Sequence, residues 1–175
     1  MRNRCFASWC LALLAGIVLV PQTGFADDSV PIRGTFAVSY MRASAVDYCN
    51  GAPGTVAIEA QGIGRMTALG PLLMTVKKCF TFSTLRYAGV FELSSGAGDT
   101  LTGTYAGTQS PGDENGFGPF AGTLTITGGT GRFKHSGSGV LSFTAVASPP
   151  SVSAVDASKV NGTAYYLLRG KMDKH

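Results

Sequence analysis

Apolar and polar residues alternate strictly along two similar segments of this chain. Residues 100–105 are Thr-Leu-Thr-Gly-Thr-Tyr, and residues 123–127 are Thr-Leu-Thr-Ile-Thr. A period of two places successive side chains on opposite faces of a β-strand, whereas an amphipathic helix needs a period near 3.6. We therefore predict two half-buried strands, with Thr102, Thr104, Thr123 and Thr125 facing water.

Six further segments alternate in the same way, so we predict eight strands. Glycine accounts for 24 of the 175 residues, about twice its average share, and glycine and β-branched residues are weak helix formers. Two longer connections, 109–118 and 147–159, are expected to be loops. The predicted strands are Arg33–Arg42, Thr55–Arg65, Leu72–Phe82, Tyr87–Leu93, Thr100–Tyr105, Phe120–Thr127, Ser138–Val146 and Val160–Arg169.

An open sheet of eight half-buried strands would leave two edges that can aggregate, and closure into a barrel removes them. Glycines in the middle of strands fit a tightly curved small barrel, because they let the backbone coil without side-chain collision. The predicted fold is thus all-β, an eight-stranded antiparallel β-barrel, and a two-sheet sandwich is the alternative. These glycines are Gly34, Gly103, Gly122, Gly139 and Gly162.

The first 26 residues have the pattern of a signal peptide. Arg2 and Arg4 precede an apolar stretch at Leu11–Val20, and Gly24-Phe25-Ala26 provides a small-x-small cleavage site. The rival interpretation, a membrane anchor, is disfavoured because the stretch has only half of the roughly 20 residues that a spanning helix needs. We predict cleavage after Ala26, a single barrel domain at 27–175 without a membrane span, and a secreted or periplasmic location.

Cys49 and Cys79 are the two cysteines that remain after cleavage. In an oxidising compartment we expect them to form a disulfide, worth roughly 3 to 4 kcal/mol in the chain-entropy model; two buried free thiols are the alternative. A metal site needs three or four ligands, and only His135 and His175 could join the cysteines. No metal is predicted.

Residue motifs for catalysis or for nucleotide binding are absent. The sequence has no Gly-x-Ser-x-Gly elbow, phosphate-binding loop or His-Glu-x-x-His motif, and no cofactor is predicted. We expect His135 to lie on the surface, and Glu59 and Glu92 to face water on the polar parity of their strands. Removal of Arg2 and Arg4 lowers the formal net charge from +4 to +2, without a basic cluster, so nucleic acid is not expected as a partner.

The apolar parity of the strands would enclose one common space. An eight-stranded barrel is wide enough to be filled by its side chains or to hold one small ligand, so a cavity and a packed core both stay open. Lys78 interrupts this face, which otherwise has almost no charge. The residues predicted to point inward are Phe36, Val38, Tyr40, Val56, Ile58, Phe80, Phe82, Phe91, Tyr105, Leu124, Phe143 and Tyr166.

If a cavity is present, we expect it to bind an apolar or aromatic molecule. The hydroxyl groups of Tyr40, Tyr105 and Tyr166 supply the few polar groups that orient a ligand in an apolar site. Arg42, at the end of the first strand's inward row, adds a charged group. The candidate ligand-binding residues are Phe36, Tyr40, Arg42, Phe80, Tyr105, Phe143 and Tyr166.

Two glycine-rich stretches carry a family resemblance. They are 98–107, Gly-Asp-Thr-Leu-Thr-Gly-Thr-Tyr-Ala-Gly, and 125–133, Thr-Ile-Thr-Gly-Gly-Thr-Gly-Arg-Phe, followed by Ser-Gly-Ser-Gly at 136–139. They resemble bacterial secreted proteins of the allene oxide cyclase barrel-like group and, more remotely, plant dirigent proteins. The resemblance implies an eight-stranded barrel that binds a hydrophobic reactive intermediate and steers its cyclisation or coupling without a cofactor. It assigns no catalytic residue to this chain.

Within the second stretch, Gly128–Phe133 is typical of a tight turn. We expect it to cap the barrel, with Thr130 bonding its own backbone and Phe133 acting as a plug.

Three functions follow from these observations. The first is binding of a small apolar or aromatic ligand inside a secreted barrel. The second is catalysis by a cofactor-independent cyclase or isomerase, because positioning alone can contribute several kcal/mol to such reactions. The third is a structural or interaction module of the cell envelope with a packed core. The sequence leaves a homo-oligomer open.

Overall fold

The computed structural model describes residues 29–42, 48–115, 117–135, 138–149, 151–152 and 160–173. The predicted signal peptide lies outside the described residues and stays a prediction. Within the described ranges the chain forms nine strands and one 3-10 turn, Gly131–Phe133. The strands are β1 Ser29–Arg42, β2 Thr55–Met66, β3 Gly70–Thr81, β4 Arg86–Ser94, β5 Thr100–Gln109, β6 Gly118–Gly129, β7 Gly139–Ala147, β8 Ser151–Val152 and β9 Val160–Asp173.

Eight of these strands form a closed antiparallel barrel in the order β1-β2-β3-β4-β5-β6-β7-β9, and β9 pairs back onto β1. The predicted eight-stranded barrel is confirmed and the sandwich is excluded. The two-residue strand β8 pairs with the start of β9, on the same edge as β7, and is too short to produce an alternation signal.

The closing seam is longer than the sequence pattern predicts. β1 and β9 pair from Ser29 opposite Asp173 to Met41 opposite Asn161, so β1 begins four residues before the predicted Arg33 and β9 ends four residues after the predicted Arg169. Backbone hydrogen bonds across the seam order these ends, and side-chain alternation does not report them.

The predicted strand faces are confirmed. Tyr105 and Tyr166 are buried, and Tyr40 points inward and packs against the core. The residues on the outer parity include the four predicted threonines, Thr102, Thr104, Thr123 and Thr125. Phe82 is the exception, since 57% of its surface is exposed. It has the inward parity but lies one residue beyond the end of β3, so no barrel wall covers its outer side.

Inward glycines make room for large side chains on the neighbouring strand. Gly107 lies opposite Tyr87 and Gly162 opposite Tyr40. A Cβ atom at either glycine would collide with the tyrosine ring. The predicted role of mid-strand glycines in a tightly curved barrel is confirmed, because the rings occupy the space that a side chain would fill.

One end of the barrel is closed. Phe133, the last residue of the 3-10 turn, is buried, as expected of a plug. The prediction for Thr130 is wrong: its hydroxyl bonds Thr100, accepting from the Thr100 amide at 3.0 Å and sharing a 2.8 Å bond with the Thr100 hydroxyl. The partner comes from β5, which the sequence does not place beside this turn. Arg132 strengthens the cap through a 3.1 Å ion pair with Asp99.

The predicted disulfide joins Cys49 to Cys79, with the Cα atoms 5.5 Å apart. It links the segment between β1 and β2 to the end of β3. Beside it, the Tyr48 hydroxyl donates a 2.7 Å hydrogen bond to the Ile58 carbonyl. Across the described ranges, no helix is long and apolar enough to cross a membrane.

Candidate functional site

A cavity of about 360 Å³ opens at the barrel end opposite the Phe133 cap. It lies where β1, β3, β5 and β7 end and where β2 and β6 begin. Its walls are mainly aliphatic and aromatic, with few polar groups. The lining residues are Val38, Tyr40, Val56, Ile58, Ala60, Lys78, Phe80, Phe82, Gln109, Gly118, Phe120, Ala147, Ser148, Ala164 and Tyr166.

The structure separates the predicted ligand-binding residues into groups. Tyr40, Phe80 and Tyr166 line the cavity. Tyr105 and Phe143 are buried and lie outside the lining set, and their rings stack with centroids 5.0 Å apart.

The other two candidates lie elsewhere. Phe36 is buried in the core and does not line this cavity. Arg42 ends β1, but its side chain lies outside the described residues.

A lysine is buried on the inner face of the barrel. Lys78 lies on the inward parity of β3 and is only 8% exposed. Its β2 partner is Ile58 and its β4 partner is Gly89, where a Cβ atom would collide with the Lys77 carbonyl. The prediction of an almost uncharged inward face that Lys78 interrupts is confirmed for the described residues, because the alternation of β3 carries Lys78 inward with its apolar neighbours.

Three aromatic rings surround the Lys78 ammonium. Its Nζ atom lies 4.6 Å from the centroid of Tyr87, 4.9 Å from that of Phe120 and 5.4 Å from that of Tyr105. Rings within about 6 Å attract a cation through their quadrupoles. Phe120 lines the cavity and the two tyrosines do not, so Nζ lies between the cavity and the buried aromatic cluster.

No carboxylate in the described part of the chain pairs with Lys78. The two ion pairs found there join Lys77 to Glu59 and Arg132 to Asp99. Burial lowers the pKa of the Lys78 ammonium from 10.5 to about 8, because a low-dielectric environment disfavours the charged form. The aromatic faces act in the opposite direction, and at neutral pH the group is mostly charged.

The tyrosine hydroxyls near the cavity are hydrogen-bonded and neutral. Tyr40 donates to the Ser148 carbonyl and Tyr87 to the Ala121 carbonyl, each at 2.9 Å, and the Tyr105 and Tyr166 hydroxyls lie 3.0 Å apart. Burial raises the pKa of Tyr166 to about 12 and also raises the pKa of the other three. Among the described residues that line the cavity, Lys78 is the only charged one.

Other candidate groups do not form a site. His135 and Glu92 are exposed, and Glu59 lies on the outer parity of β2, as expected. Within the ranges that the structure covers, no three His, Cys, Asp or Glu side chains are grouped to hold a metal ion.

The chain matches no protein-family model, and neither the curated proteins nor the solved structures contain a significant match. The barrel implied by the resemblance is present. Kinship with allene oxide cyclases or dirigent proteins has no support from these comparisons.

Proposed function

We propose that the barrel binds one small apolar or aromatic molecule in the open cavity. The observation that carries this proposal is the cavity itself, since about 360 Å³ falls within the range of roughly 300 to 1,000 Å³ typical of small-molecule sites. A fully packed core, which an envelope structural module would need, leaves no such space.

The lining supports an apolar ligand. Phe80, Phe120 and Tyr166 present aromatic surface, while Val38, Val56, Ile58 and the alanines provide aliphatic walls. In the proposed complex the body of the ligand lies against these groups. Phe36, Tyr105 and Phe143 support the site from the core.

The proposal is tested by titrating folded protein with the neutral fluorescent probe N-phenyl-1-naphthylamine in a calorimeter. We expect saturable binding of one probe per barrel. Ala164→Trp should abolish it, because Ala164 is buried and lines the cavity. The matched control is Tyr165→Trp, one residue along β9, where the side chain faces outward and is 66% exposed.

A second variant that blocks the cavity keeps the test decisive if Ala164→Trp does not fold. Ala147 is only partly buried at the cavity mouth, so Ala147→Trp is expected to fold and to weaken binding at least severalfold. If folded wild-type protein does not bind the probe, or if both blocking variants bind as well as the wild type, the ligand-binding function is wrong.

One observation favours the catalytic alternative. A cationic group in an apolar cavity can stabilise negative charge that develops on a substrate oxygen, and Lys78 has that position. A cyclase or isomerase would convert an unsaturated epoxide in the presence of wild-type protein and more slowly with Lys78→Met. Binding of such a compound without turnover would leave binding alone as the function.

We also propose that the chain is exported and cleaved after Ala26. The Cys49–Cys79 disulfide is typical of oxidising compartments and supports export. Mass spectrometry of protein from the periplasm or the medium should give a chain that starts at Asp27. A mass that retains residues 1–26 would contradict this.

A further inference from the structure

The cavity contains a cation without a matching anion. In the described part of the chain, Lys78 has aromatic rings around Nζ and takes part in neither of the two ion pairs. Ring faces attract a cation but are weak acceptors for its N–H groups. The ammonium therefore keeps hydrogen-bonding capacity that the described residues around it leave unused.

A neutral apolar ligand would make this situation worse. It would exclude solvent from the ammonium at the cavity surface and would supply no hydrogen-bond acceptor for its N–H groups. A buried charge without a hydrogen-bonded partner is costly. A ligand that carries its own anion removes this cost, because it supplies an acceptor and a counter-charge together.

The two tyrosine hydroxyls of the lining do not compete for this role. The Tyr40 hydroxyl already donates to a carbonyl, and the Tyr166 hydroxyl is bonded to Tyr105. Among the described residues that line the cavity, none has an acidic side chain that would repel an anion.

We propose that the ligand is an apolar or aromatic acid, and that the Lys78 ammonium binds its anionic oxygen group, a carboxylate or a sulfonate. This inference rests on the proposed cavity function and specifies its ligand class. The apolar body of the acid fills the space between Phe80, Phe120 and Tyr166. Its charged end points toward the aromatic cluster, away from the solvent-exposed Phe82.

Two probes with one skeleton test the proposal. 8-Anilinonaphthalene-1-sulfonate is N-phenyl-1-naphthylamine with a sulfonate added, so the pair differs by a single anion. We expect wild-type protein to bind the sulfonate at least about tenfold more tightly than the neutral probe, the ratio typical of a charged hydrogen bond. Lys78→Met should remove this preference while it preserves or strengthens binding of the neutral probe.

The neighbouring residue provides a matched control. Lys77 lies on the outer face of β3, where it pairs with Glu59 at 3.9 Å, so Lys77→Met removes the same charge without changing the cavity. It should keep the wild-type preference. Lys78→Arg should also keep at least part of it. Lys78→Gln, which replaces the ammonium with a neutral amide, should lose the preference and serves as the test if the methionine variant does not fold.

The outcomes separate the two proposals. Absence of binding by both probes overturns the cavity function and this inference together. Binding of the neutral probe in the cavity, with no tighter binding of the sulfonate or with the same preference in Lys78→Met and Lys78→Gln, overturns this inference alone. Sulfonate binding that survives Ala164→Trp places the anion outside the cavity and also overturns it.

Discussion

The Lys78 ammonium lies 4.6 Å from the centroid of the Tyr87 ring, within the interior of the barrel. The two residues belong to neighbouring strands, β3 and β4, and Gly107 on β5 leaves the space that the Tyr87 ring occupies. This contact replaces the carboxylate partner that a buried lysine usually has. It fixes a positive charge at the boundary between an apolar cavity and an aromatic core.

Lys78→Met should stabilise the free protein at pH 7. Burial lowers the pKa of Lys78 from 10.5 to about 8, which corresponds to a penalty of roughly 3 kcal/mol for the charged form, partly offset by the aromatic contacts. We expect a net gain of about 1 to 3 kcal/mol in the free energy of unfolding, measured by denaturant melts. A loss of stability would mean that the ammonium is well solvated in the native state.

The stability gain of Lys78→Met should become smaller as the pH rises. Between about pH 8 and 10.5 the unfolded chain binds more protons at Lys78 than the native chain, so wild-type stability contributed by this group rises with pH. The advantage of Lys78→Met should therefore be largest below pH 8 and should shrink towards pH 9.5. Lys77→Met, on the outer face, is expected to change stability by less than about 1 kcal/mol.

Binding of 8-anilinonaphthalene-1-sulfonate should weaken as the pH rises. The sulfonate keeps its charge, and the facing groups Tyr40, Tyr87, Tyr105 and Tyr166 have raised pKa values and stay neutral. Among the described residues of the site, Lys78 alone then titrates in this range, and loss of its proton above about pH 8 removes the attraction. We expect affinity to fall about five- to tenfold between pH 7 and 9.5, and to stay flat in Lys78→Met.

The centre of the core should be far more sensitive to truncation than the outer face. Phe143 is buried, and its ring lies 5.0 Å from Tyr105 and 5.4 Å from Tyr166. Phe143→Ala should cost about 3 to 5 kcal/mol, whereas Thr125→Ala on the outer parity of β6 should cost well under 1 kcal/mol. Similar losses for both variants in denaturant melts would indicate a wrong strand register.

The disulfide should contribute measurably to stability. Cys49 and Cys79 are 30 residues apart, and closure of such a loop is worth roughly 3 to 4 kcal/mol in the chain-entropy model. The double variant Cys49→Ala/Cys79→Ala should lose stability of that order. Native protein should show no free thiol and a mass two hydrogens below that of the reduced chain. Thiol labelling of native protein would contradict the bond.

The barrel could be predicted from the sequence because alternation is a local signal. Each strand carries its own inward and outward parity, and closure follows from the need to bury eight apolar faces without edges. The β1–β9 seam and the Thr130–Thr100 bonds join residues far apart in sequence, so no local pattern reports them.

Prediction of the cavity from the sequence has the same limit. Parity correctly places Tyr40, Phe80 and Tyr166 inside, but it does not tell an open space from a packed one, because that depends on how side chains from all the strands fit together. The alternation of β3 likewise places Lys78 on the inward face, but no local pattern reports the three aromatic rings around its Nζ atom.

The most direct measurement is a crystal structure of the mature protein with 8-anilinonaphthalene-1-sulfonate bound. We predict one probe per barrel, with its rings between Phe80, Phe120 and Tyr166 and a sulfonate oxygen within about 4 Å of the Lys78 nitrogen, the usual limit for an ion pair. A probe bound on the outer face, or a cavity filled by side chains in the crystal, would contradict it.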